Sequence, residues 1–145
     1  MKSKYGVTLL LLTAILAFST ALAHFSCIFF GPECYSIQMA PEFIVESAKQ
    51  GTIVAPIGAI LAAILFIIPG CYALSGAHII RKLPLLTLGI YTIATLCIIR
   101  GLLPIQLWLR KPDKVTDVVL YVGIVWLIAG LFYLFGYKSA SKVNV

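Results

Sequence analysis

The sequence predicts an all-α membrane protein: a four-transmembrane-helix bundle with a short helix on the outer face in the first loop. Three observations predict it. Hydrophobic residues fill 61% of the 145 positions and charged residues only 11%. Soluble domains carry about 25% charged residues, so lipid must cover much of this surface. Charges are also absent over long stretches, between Lys4 and Glu33 and again between Lys49 and Arg81. Finally, the apolar runs show no period-two alternation. Backbone groups in lipid must be satisfied within a helix or a closed barrel, and this pattern selects helices. The length suits one compact unit, read here as a single transmembrane domain over residues 1–145.

A helical span needs roughly 20 apolar residues, at 1.5 Å of rise each across ~30 Å of hydrocarbon. The first predicted span covers residues 5–23. Lys2, Lys4, an apolar core and Ala21-Leu22-Ala23 also follow the pattern of a secretory signal. An uncleaved anchor gives four spans; cleavage leaves three.

Residues 24–52 form the outer loop. Gly31-Pro32 marks a turn that brings Cys27 and Cys34 within disulfide reach, a Cα separation of ~5.5 Å. A structural disulfide is one reading of this pair. Two free thiols, thiol–disulfide exchange, and a metal held by His24, Cys27 and Cys34 are the alternatives. Pro41 to Gln50 reads as a short interfacial helix, with Pro41 at its start and Gly51 at its stop.

The second span covers residues 53–75. Ala55, Ala59 and Ala63 recur at spacing four, a face suited to close helix packing. Pro69-Gly70 predicts a kink near its end. The third span covers residues 84–104 and ends at Pro104; the fourth covers residues 118–137.

Arg100 interrupts the third span. An ionisable residue inside a span is a functional candidate by default. It can snorkel to the surface, bind an anionic group, or pair with an outer-loop carboxylate. Glu42 and Glu46 are the carboxylates best placed for that pair.

Orientation follows from the bases. With the N-terminus inside, the inner segments hold Lys2, Lys4, Arg81, Lys82, Lys138 and Lys142 and no acid. The outer segments hold five bases and all five acids. The bases at the first helix and in the short central loop favour this arrangement. It places both termini in the cytoplasm.

Several blocks resemble a group of small four-helix bacterial inner-membrane proteins. They are His24-Phe25-Ser26-Cys27-Ile28 with Gly31, the stretch from Tyr72 to Leu86, and Arg100-Gly101. The resemblance covers most of the chain. It implies the four-helix fold and the bacterial inner membrane, and it carries no assigned active site. A narrower likeness, limited to four helices and outer-loop cysteines, links the chain to quinone-linked thiol oxidoreductases of the membrane. Those use a Cys-x-x-Cys pair, which this chain does not have.

The functional reading is a non-enzymatic membrane protein that binds a lipid, a small molecule or a partner membrane protein at its outer face. No phosphate loop, HExxH or nucleophile–base pair is present, so no catalytic residue is assigned. No motif identifies a cofactor. The expected partners are membrane lipids and either a partner membrane protein or further copies of the chain. Nucleic acid is not among them, because the bases are scattered rather than gathered in a stripe with aromatics. The second reading is a thiol/disulfide redox or metal-binding protein working through Cys27 and Cys34.

Overall fold

The computed structural model describes residues 4–141. Lys2 and Lys142, counted above for orientation, lie outside the described residues. The chain forms helices α1 (Lys4–Phe30), α2 (Pro32–Ile37), α3 (Glu42–Lys49), α4 (Val54–Gly76), α5 (Leu86–Arg110) and α6 (Asp117–Ser141). A single 3₁₀ turn, Pro112–Lys114, joins the last two. No strand occurs among the described residues. Helices α1, α4, α5 and α6 are long and apolar enough to cross a membrane. Four such helices fit a multi-pass membrane protein.

Two helix ends differ most from the sequence reading. Helix α1 runs past Ala23 to Phe30. It stops where Gly31 takes φ 79°, a left-handed backbone that glycine adopts without a Cβ penalty. Pro32 then opens α2, a helical turn where the sequence suggested only a bend. Helix α5 runs through Pro104 to Arg110. The proline removes one backbone donor. Its ring packs on α6, where a Cβ added to Gly123 would stand 3.0 Å from Pro104 Cγ.

The chain divides into two compact units. Of the described residues, one comprises 4–14 together with 71–141; the other is Ile15–Gly70. Helices α1 and α4 contribute a segment to each.

In the unit of the chain ends, α5 and α6 meet backbone to backbone. A Cβ on Gly101 would lie 2.6 Å from Leu127 Cβ and 2.7 Å from the Gly123 carbonyl oxygen. A Cβ on Gly130 would lie 2.9 Å from the Ala94 carbonyl oxygen. Glycine permits this approach, and dispersion between closely packed backbones is a main source of helix attraction in lipid. The link from α4 to α5 is fixed by Ser75, which is 1% exposed. Its hydroxyl accepts from the Leu83 N–H at 2.9 Å and donates to the Arg81 carbonyl at 3.1 Å.

In the Ile15–Gly70 unit, the core is Cys27, Tyr35, Ile44, Ala55 and Ala59. The alanines at spacing four are the buried face of α4. Ile44 of α3 packs over Gly58, where a Cβ would come 3.1 Å from its Cδ1. Ser47 of α3 satisfies the start of α4: its Oγ accepts from the Ala55 N–H at 2.9 Å. That contact covers one of the donors a helix start leaves without an internal partner.

Candidate functional site

The site is built where α1 ends. Cys27 lies on the last full turn of α1 and Cys34 on α2, seven residues on. The Gly31 turn folds the two together. The Gly31 N–H donates to the Cys27 carbonyl at 3.0 Å, and the Cys34 N–H to the Gly31 carbonyl at 3.1 Å. Cys27 and Cys34 form a disulfide, with an S–S distance of 2.05 Å and a Cα separation of 5.1 Å. Cys27 is buried and Cys34 half-buried.

Gln38 stands one helical turn after Cys34. Its Nε2 donates to the Ala23 carbonyl at 2.6 Å and lies 3.0 Å from Cys27 Sγ and 3.5 Å from Cys34 Sγ. Met39 follows with φ 55°. This reversal lets the Ala40 N–H donate to the Tyr35 carbonyl at 3.0 Å and turns the chain toward α3.

A cavity of about 270 Å³ lies in this corner, within the Ile15–Gly70 unit. Ile44, Ala59, Ala62 and Phe66 give it apolar walls, and His24 and Gln38 bring polar groups to it. The His24 ring stacks on Phe66, with centroids 5.1 Å apart and planes 9° from parallel. Tyr35 is only 5% exposed, and its hydroxyl is buried without a hydrogen-bond partner. An unpaired buried hydroxyl costs about 1–3 kcal/mol. Burial pushes the Tyr35 phenol above its ordinary value. No Lys, Arg, Asp or Glu lines the cavity.

The other sequence candidates fall elsewhere. Arg100 is exposed on α5, and Glu42 is exposed on α3. Glu46 lies 3.7 Å from Lys49 Nζ, the one ion pair among the described residues, and accepts from Gln50 Nε2 at 3.1 Å. A pairing of Arg100 with Glu42 or Glu46 stands as a proposal. The metal alternative needs thiolates. The sulfurs of Cys27 and Cys34 are bonded to each other, and no metal-holding group of three His, Cys, Asp or Glu occurs among the described residues. Cys71 and Cys97 are free and half-buried within α4 and α5.

Sequence reasoning found His24, Cys27 and Cys34 but passed over Tyr35, Gln38 and Phe66. The missing signal was helix α2. Once Pro32 is placed in a first turn, Gln38 falls four residues after Cys34 and hence beside it. Comparison with protein-family profiles, with curated proteins and with solved structures finds no match to the chain.

Proposed function

We propose that this chain is a non-enzymatic multi-pass protein of the bacterial inner membrane that binds a small molecule in the cavity beside Cys27–Cys34. The observation that carries this reading is the cavity itself: apolar walls with the polar side chains of His24 and Gln38 at its edge. Apolar pockets with a few placed polar groups are the usual form of a small-molecule site. The disulfide supports the orientation, because such bonds persist in oxidising compartments. On this reading residues 24–52 and the short helix α3 face the periplasm, and both termini are cytoplasmic.

Two experiments test it. Reporter fusions after Gly76 and Val145 are expected to report cytoplasm, and one near Ser36 periplasm; a periplasmic signal at Gly76 overturns the orientation. Native mass spectrometry of the protein isolated from membranes is expected to find a bound small molecule that is lost in Ala62→Phe, which fills the cavity. Equal occupancy in that variant moves the site elsewhere.

A second reading is favoured by Gln38. Its amide donor lies against both sulfurs and would stabilise a thiolate formed by reduction. In that case Cys27–Cys34 accepts two electrons and two protons from a dithiol, which itself becomes a disulfide. A Cys27→Ala variant is then expected to trap a mixed disulfide through Cys34. A clean thiol at Cys34 in intact cells counts against redox exchange.

A further inference from the structure

We propose that the α4–α5 link, residues 77–85, is a preformed site for an anionic phospholipid. Arg81 and Lys82 hold the phosphate, and Ile79 and Ile80 meet the acyl chains. The proposal does not depend on the cavity.

The chain itself fixes the shape of the link. At the end of α4 the His78 N–H donates to the Ser75 carbonyl at 3.1 Å and the Ile79 N–H to the Leu74 carbonyl at 3.0 Å. His78 takes the left-handed backbone that this pair of bonds requires, with φ 59°. The Ser75 hydroxyl then ties down the return, through the Arg81 carbonyl and the Leu83 N–H. The Tyr72 hydroxyl donates to the Pro84 carbonyl at 3.2 Å. Backbone is thus bonded on both sides of Lys82, and a site already ordered loses little conformational freedom on binding.

What the link presents is amphiphilic. His78, Ile79, Ile80, Arg81 and Lys82 are consecutive and all exposed. Ile79 is 53% exposed and Ile80 38%. Neither base has an ion-pair partner among the described residues. The chain holds no Asp or Glu between Glu46 and Asp113. Two uncompensated cations beside two open isoleucines match a molecule with an anionic head and apolar chains. A free phosphate would satisfy only the bases, and a neutral lipid only the isoleucines. Helices α4 and α5 are both apolar enough to cross the membrane, so their link returns the chain at a bilayer surface, where phosphates and acyl chains meet. In the orientation proposed above that surface is cytoplasmic, the side on which anionic lipids set a negative potential.

The test is native mass spectrometry of the full-length protein, delipidated in detergent and titrated with phosphatidylglycerol or phosphatidylcholine of the same acyl chains. A base at a lipid surface contributes about fivefold, so two contribute roughly thirtyfold. The first phosphatidylglycerol is expected to bind about thirtyfold more tightly than phosphatidylcholine. Arg81→Gln with Lys82→Gln should bring that ratio within about threefold of unity, while Arg110→Gln with Lys111→Gln should leave it in place. The reverse result moves the site to the α5–α6 link and overturns the proposal. Bases beside a span also guide insertion, so Ser75→Ala supplies a variant that keeps every charge and releases the return of the link. It should cut the preference by about threefold or more. A full preference in Ser75→Ala means diffuse surface charge and overturns the preformed site. Ile79→Ser with Ile80→Ser should weaken phosphatidylglycerol while sparing its preference over phosphatidylcholine. Displacement of the lipid by millimolar inorganic phosphate would make the ligand a free anion and overturn the lipid assignment.

Discussion

The two units of this chain hold themselves together by different means. In the unit of the chain ends, α5 and α6 touch through Gly101, Gly123 and Gly130; a side chain at Gly101 or Gly130 would meet backbone atoms within 3 Å beside Leu127 Cβ or Ile98 Cγ1, and one at Gly123 would meet the Pro104 ring. In the Ile15–Gly70 unit the contacts are made by side chains, Ile44 over Gly58 and Phe18 under Gly70, and by one covalent bond. Backbone cannot swing aside, whereas the end of an isoleucine can. The first unit is therefore intolerant of added volume at Gly101 and Gly130. The second tolerates adjustment and keeps a cavity.

The largest effect should come from adding volume where only backbone can yield. Gly101→Leu is expected to cost about 3 kcal/mol or more, read as loss of the folded fraction in a denaturant titration in detergent. Wild-type stability would mean that the α5–α6 contact is not close. Next comes the covalent closure of the other unit. Replacing both Cys27 and Cys34 by alanine should cost about 2.5 kcal/mol, the value for so short a loop. A loss of binding with unchanged stability would instead favour the redox reading.

Ser75→Ala leaves the Leu83 N–H without its buried acceptor and should cost about 1–2 kcal/mol. Gly58→Ala, the counterpart of the Gly101 change, should lie within about 1 kcal/mol of wild type. Its helix-propensity gain offsets the push on the Ile44 tip. A cost equal to that at Gly101 would erase the contrast between the units. The smallest effect is the coupling between Arg100 and Glu46, measured by a double-mutant cycle. Both are exposed, so coupling should stay below about 1 kcal/mol. A value of 3 kcal/mol or above would establish the buried pair.

The contrast also explains what could be read in the sequence. Charge-free runs mark the middles of the four long helices, because crossing lipid demands them. They do not mark the ends. Helix α1 keeps its geometry through His24 to Phe30, since nothing before Gly31 opposes a helix. Pro104 looks like a terminator but is only a missing donor packed on Gly123. The cysteine pair was legible because a disulfide constrains spacing. Tyr35 was not, since its meaning depends on a hydroxyl left unpaired in three dimensions. Arg100 drew notice as a charge in a span, yet its exposure could not be read from spacing alone.

The Cys27–Cys34 ring has a consequence for biosynthesis. Its two sulfurs are separated by only seven residues, so closure requires no contact from the later part of the chain. With residues 24–52 delivered to an oxidising side, the bond can form while α4, α5 and α6 are still unmade. Loop closure over ~10 residues takes about 10–100 ns, whereas the oxidation itself takes seconds or longer and translation adds ~5–20 residues per second. The speed of the oxidant, not the search for the partner sulfur, therefore decides whether the end of α1 is closed before the remaining helices are made. A pulse-chase with thiol blocking should find the bond in nascent chains truncated before α5.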